Sequence, residues 1–154
     1  MTILDELDKR ILNSLQSDAT LSNQALAARV HASPPTCLRR VNRLVEEGII
    51  VKQVAILNPE FIGMGLTAIV EISLDHQGSE KLIEFERLAN KESAVQQCYR
   101  VSPGPDFILI IMVADMAAYH TLAHRLFATQ SNVRNVRCFF SVLCSKFETK
   151  TEII

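Results

Sequence analysis

Residues 33–48 read SPPTCLRRVNRLVEEG, and the fold of the N-terminal third turns on them. Ser33 is a good N-cap, and Pro34 takes the first helical position, where its missing N–H costs nothing. Gly48 stands where a helix closes through a left-handed residue. The spacing predicts a helix between them, with Leu38, Val41, Leu44 and Val45 as its inward stripe. Thr36, Arg39, Arg40 and Arg43 fall largely off that stripe and are expected to face outward.

Upstream, residues 5–16 place Leu7, Ile11, Leu12 and Leu15 on one helical face, with Asp8, Lys9 and Asn13 opposite. A second short helix follows the N-cap residue Ser22 and buries Leu26, Ala27 and Val30. Two short helices, a tight turn and a basic third helix predict a helix-turn-helix that binds double-stranded DNA. The net charge of the chain is −1, which excludes a globally basic nucleic-acid binder, so any DNA-binding charge is local. Arg29, Arg39, Arg40 and Arg43 supply it, with no acid between them. Arginine forks suit guanine O6/N7 and phosphate, and a helix N-terminus carrying Ser33, Pro34 and Thr36 suits a phosphate. The competing reading is a solvated basic face, which the preceding short helix and turn disfavour.

Downstream, residues 49–57 read as a short β segment or wing, and Asn58-Pro59, Gly63 and Gly65 punctuate a linker. After Gly65 the period changes from helical to alternating. Ala68, Val70, Ile72 and Leu74 alternate with Ile69, Glu71, Ser73 and Asp75. A helix at about 79–91, strands at about 95–102 and 107–114, a helix at about 116–130 and a strand at about 133–144 complete a βαββαβ order, the ferredoxin-like arrangement. The expected fold class is α+β, with boundaries at 1–53, 54–65 and 66–154. In such a sheet the helices lie on one face, yet residues 107–114 are apolar on both. A second subunit is expected to cover the other face.

Other chemistries find little support. Cys37, Cys98, Cys138 and Cys144 form no CxxC pair, so reduced, largely buried thiols are expected. Cys138 and Cys144 are expected to share a face of the last strand. His120 and His124 are four apart on a helix but lack a third ligand, so no metal is expected. There is no phosphate loop, paired carboxylate cleft or nucleophile–base motif, which argues against an enzyme. MTILDELDKR is no signal peptide and the longest apolar run is too short for a bilayer, so a cytoplasmic protein without a membrane partner is expected.

Nearly the whole chain resembles the Lrp/AsnC (feast-famine) family of transcription regulators. The opening resembles the family at Leu4-Asp5, Leu7-Asp8-Lys9-Arg10-Ile11-Leu12 and Leu21-Ser22-Asn23. The helix-turn-helix matches at Leu26-Ala27-Ala28-Arg29-Val30, Ser33-Pro34, Cys37-Leu38-Arg39-Arg40-Val41 and Arg43-Leu44, and the exit at Gly48-Ile49-Ile50 and Leu57-Asn58-Pro59. In the second half the likeness is carried by Cys98, Val101-Ser102, Asp106-Phe107 and Asp115-Met116-Ala117-Ala118-Tyr119. The sequence departs from the pattern at Val45, where an acid is usual, and at Pro103, where a glycine is usual.

The resemblance implies a regulator that senses a small effector, an amino acid, with no other cofactor. It also implies homodimers assembling to octamers. It places the effector near the 102–107 turn, with Ser102 and Gly104 in the loop, Asp106 for an ammonium group, and Phe107, Met116 and Phe139 lining a side-chain pocket. Turn chemistry alone also accounts for Asp106. A ligand-independent architectural DNA binder is the alternative reading.

Overall fold

A computed structural model describes residues 4–153. They divide into two compact units: residues up to 56 together with those from 146 onward, and residues 57–145.

The first unit is three helices, α1 (Glu6–Ser17), α2 (Asn23–Arg29) and α3 (Pro34–Glu46). Each begins on a side-chain cap. Asp5 accepts the N–H of Asp8 while Asp8 accepts that of Asp5, a reciprocal capping box; Ser22 and Ser33 cap α2 and α3. The α2–α3 turn closes through His31 in the left-handed region (φ 55°), with Ala32 N–H donating to the Ala27 carbonyl. That conformation costs a non-glycine residue about 1 kcal/mol. At the end of α3 the same closure falls on Gly48 (φ 72°), as its sequence position predicts, and Ile49 N–H donates to the Leu44 carbonyl.

The core of this unit is Ile11, Leu12, Leu26, Ala27, Val30, Cys37 and Leu44. Two expectations fail here. The inward stripe of α3 contains Cys37, not Leu38; Leu38 and Val45 are each 50% exposed. A small thiol fits at the crossing of α2 and α3, and its burial pushes the pKa up. Asp8, expected on the solvent side of α1, is fully buried.

Residues 49–57 form no strand, contrary to the expected β wing, and Val51, Val54, Ile56 and Leu57 are exposed. Val and Ile content makes a strand only where a neighbour receives the backbone hydrogen bonds, and none pairs with this segment among the described residues. The C-terminal segment also departs from the expected boundary at 66–154. Thr151 N–H donates to Gln16 Oε1 (2.6 Å), Gln16 Nε2 donates to the Thr151 carbonyl (3.0 Å), and Ile153 packs on the first unit's core.

The second unit runs β1 (Leu66–Leu74), α4 (Ser79–Lys91), β2 (Val95–Arg100), β3 (Phe107–Val113), α5 (Met116–Ala123) and β4 (Val133–Phe140). A 3-10 turn precedes β1, and a π-type turn, His124–Ala128, extends α5. The sheet order is β2-β3-β1-β4 with every neighbour antiparallel, the ferredoxin-like topology expected. Ala68, Val70, Ile72 and Leu74 on β1 and Phe107, Leu109, Ile111 and Val113 on β3 are buried beneath the helices with Phe85, Ala89 and Leu122. The last strand stops at Phe140, so Cys144 lies outside it and is exposed rather than sharing a face with Cys138.

Among the described residues the opposite sheet face carries no helix of this unit. Register places Ile69 beside Ile110 and Phe139, and Tyr99 beside Ile108, all on that face. Its apolar centre is therefore open to solvent in the single chain.

Candidate functional site

Helix α3 is built to present one face and hide another. With Cys37, Val41 and Leu44 against the core, the 3.6-residue period turns Pro35, Arg39, Asn42 and Glu46 furthest outward, and all four are exposed. Thr36, Arg40 and Arg43 lie along one flank and are half-buried. At the N-terminus Ser33 Oγ accepts the Thr36 N–H and donates to Thr36 Oγ1 (2.9 Å). Asn23 Nδ2 donates to the Pro34 carbonyl (2.9 Å), tying the start of α2 to the start of α3.

Arg40 and Arg43 differ from expectation. Arg43 NH2 donates to Asp8 Oδ2 (2.5 Å), and Arg40 NH1 donates to Asp5 Oδ2 (2.6 Å) and Asp8 Oδ1 (3.2 Å). The N–H of Asp8 on Asp5 Oδ1, aided by the Arg40 guanidinium, holds the Asp5 carboxyl below its ordinary value, and Asp5 in turn raises Arg40. These two arginines thus clasp α3 to α1 and are not free forks on the outer face. The sequence gives no sign of this clasp, because Asp5 and Asp8 arrive from thirty-odd residues away. The Asp5/Asp8 spacing of three is a capping-box signal, but nothing in it announces burial. Arg39 and Asn42 make no side-chain hydrogen bond or ion pair among the described residues. Asn42 was not among the expected DNA-binding residues.

In the second unit, the 102–107 turn joins β2 to β3. The Ser102–Pro103 peptide is cis, Gly104 has φ 125°, and both Ser102 and Gly104 are exposed. A side chain at Gly104 would meet no neighbour, so the glycine serves backbone conformation alone. Asp106 is stitched into the sheet end: its N–H donates to the Ile72 carbonyl (2.8 Å) and its carbonyl accepts from Val101 (3.1 Å). Its Oδ2 accepts from Leu74 N (2.7 Å) and Gln77 Nε2 (3.3 Å). Only Oδ1 is left without a hydrogen bond among the described residues.

The expected side-chain pocket is not assembled in one chain. Phe107 points under the helices, its ring 4.9 Å from that of Phe85, whereas Phe139 sits on the open face beneath the Arg137 guanidinium (5.4 Å). Met116 begins α5 beyond the far end of β3, which places it roughly 20 Å from the turn at strand rise. Ser102, Gly104 and Asp106 are therefore together, whereas Phe107 and Phe139 lie on opposite faces of the sheet and Met116 lies past the far end of β3.

Two surface clefts of about 500 and 410 Å³ lie elsewhere in this unit, against α4 and against α5 with β4. Among the described residues no three His, Cys, Asp or Glu side chains come together as a metal site, and no helix is long and apolar enough to cross a membrane.

Comparison with known proteins gives both halves a counterpart. Residues 4–51 match the winged helix-turn-helix DNA-binding model, and residues 67–150 match the Lrp/AsnC ligand binding domain. The chain is 35% identical over 151 residues to the DNA-binding transcriptional activator DecR of Escherichia coli K12, covering 98% of this chain and 99% of that protein. It is 36% identical over 136 residues to the leucine-responsive regulatory protein of Salmonella typhimurium, covering 88% and 83%. Among solved structures, a transcriptional regulator from Neisseria meningitidis in complex with L-Met superposes with a TM-score of 0.90 at 28% identity, over 97% of each chain. An AsnC family transcriptional regulator from Agrobacterium tumefaciens gives 0.90 at 32% identity, again over 97% of each.

Proposed function

The chain belongs to the Lrp/AsnC family of DNA-binding transcription regulators and carries that family's ligand-binding domain, and from this premise we propose that it reads a near-palindromic duplex as a homodimer and responds to an amino-acid effector. It is a regulator and not an enzyme. Two copies related by a twofold axis set their α3 helices about one DNA turn apart, roughly 34–36 Å. The open face around Ile69, Ile110 and Phe139 is the surface through which the copies pair, and dimers assemble further into an octamer. DNA as the partner places the protein in the cytoplasm.

The observation that carries the effector reading is the 102–107 turn. It exposes a glycine and leaves one carboxylate oxygen, Asp106 Oδ1, without a hydrogen bond among the described residues. That oxygen accepts the effector's ammonium group. Because Phe139 and Met116 stand apart from the turn, the effector's side chain is enclosed only where a second copy brings those residues alongside. Coupling of about 1–3 kcal/mol between effector and DNA follows from differential packing at such an interface.

A thermal-shift measurement against the twenty amino acids tests this reading. One or a few of them are expected to raise the unfolding midpoint, by about 2.7 kcal/mol of stability at a hundredfold excess over Kd. In Asp106→Ala the shift disappears. That variant also loses the acceptor for Leu74 N–H, so its stability without effector falls by about 1–2 kcal/mol and its midpoint falls with it. A shift of wild-type size in Asp106→Ala removes the ammonium from this residue.

One observation favours the alternative of a ligand-independent DNA binder. Pro103 and Pro105 carry no N–H, and that of Asp106 is already given to Ile72, so the turn has few donors for a carboxylate.

A further inference from the structure

The clasp between α1 and α3 has a consequence for which side chains meet bases. Arg40 and Arg43, the two cations on the flank of α3, are held by Asp5 and Asp8. Thr36 Oγ1 accepts from Ser33. What remains on the outermost line of the helix is Pro35, Arg39, Asn42 and Glu46. Proline has no side-chain polar group, and Glu46 would meet phosphate with the wrong sign. The first two to three turns of α3 are thus the part suited to a groove, with two hydrogen-bonding side chains, Arg39 and Asn42, that are unengaged among the described residues.

Resting on the DNA-binding reading above, we propose that Asn42 is a base-reading residue: its carboxamide takes adenine through N6 and N7 while Arg39, one turn earlier, takes guanine through O6 and N7. The chemistry is specific on both sides. A carboxamide offers one donor and one acceptor in a plane, the complement of adenine's major-groove edge; a guanidinium offers two donors, the complement of guanine's. The two residues are three apart, so about 4.5 Å separates them along the helix axis, comparable to the 3.4 Å step between base pairs. The purines they read accordingly lie on neighbouring base pairs of each half-site. Neither side chain must break an intramolecular bond to do so, whereas Arg40 and Arg43 would have to leave a carboxylate.

The experiment is selection of bound duplexes from a library with randomised half-sites, using the full-length protein, Asn42→Ala and Arg39→Ala. The wild type is expected to select adjacent guanine and adenine. Asn42→Ala is expected to lose discrimination at the adenine by about tenfold or more, with preference elsewhere intact. Arg39→Ala loses the guanine instead. Asn42 is exposed, so the variant's unfolding midpoint stays at the wild-type value and a folding defect is readily distinguished. Asn42→Ala with wild-type preference at every position overturns the proposal, as does a uniform loss of affinity without any change of preference. A wild type that binds duplexes with no preference at all contradicts the sequence-reading function itself, which is a separate failure.

Discussion

Arg43→Ala unfolds its first unit roughly 15–20 °C below the wild type, a loss of about 2–3 kcal/mol for a unit of this size. The cause is the partner left behind. The Asp8 carboxylate is fully buried, and Arg43 supplies its shortest contact, at 2.5 Å. Removing one member of a buried ion pair leaves an uncompensated charge, which costs about 3–5 kcal/mol when both partners are buried. The expected value is lower because Arg40 still reaches Asp8 Oδ1 and because the Arg43 side chain is itself 36% exposed. Replacing the pair together, as Asp8→Leu with Arg43→Met, is expected to restore most of the midpoint, since neither charge is then stranded. Hydrogen exchange over α1–α3 reads the effect without interference from the second unit. An unchanged midpoint, with DNA affinity reduced and the salt slope lowered by about one, would make Arg43 a phosphate contact instead.

The second large effect concerns assembly. Ile110 lies at the centre of the open sheet face, opposite Ile69 on β1 and Gln97 on β2. Ile110→Asp is expected to convert a micromolar dimer into a folded monomer, weakening association by a hundredfold or more, about 3 kcal/mol. A carboxylate taken into an apolar interface without a partner is strongly disfavoured, and twofold symmetry places it there twice. The fold of the single chain tolerates the change, because that face is not part of the core beneath α4 and α5. Sedimentation of both proteins at about 10 μM provides the measurement. A monomeric wild type, or a dimer of unchanged stability in the variant, removes this face from the assembly.

Element by element, the fold was readable where local chemistry and packing agree. Ser22, Ser33, Pro34 and Gly48 act through backbone geometry that depends only on neighbours, and the structure uses each as its position predicts. The alternation along β1 and the doubly apolar β3 fixed the ferredoxin-like half for the same reason. The failures involve partners distant in sequence. Asp8 reads as a solvent-facing acid until α3 arrives with two arginines; Leu38 turns outward because the α2 crossing takes the smaller Cys37, whose burial was expected. Residues 49–57 have strand composition and no strand neighbour. On α3 the outward placement of Arg39 was anticipated and attention to Asn42 was not, since an uncharged carboxamide carries no signal until the adjacent arginines are seen to be occupied. The 102–107 turn falls where its composition predicts, but which faces Phe107 and Phe139 occupy follows from register, which composition does not fix.

Coupling between an amino acid and DNA is the central feature of the proposed regulation. Fluorescence anisotropy of the wild-type protein on a selected duplex, titrated at fixed salt with each of the twenty amino acids at millimolar concentration, measures it directly. One or a few amino acids are expected to change duplex affinity by about 5–150-fold, with no change in Asp106→Ala. Affinity that is the same with every amino acid and without any, in a protein whose unfolding midpoint none of them moves, would contradict effector sensing and leave a ligand-independent DNA binder.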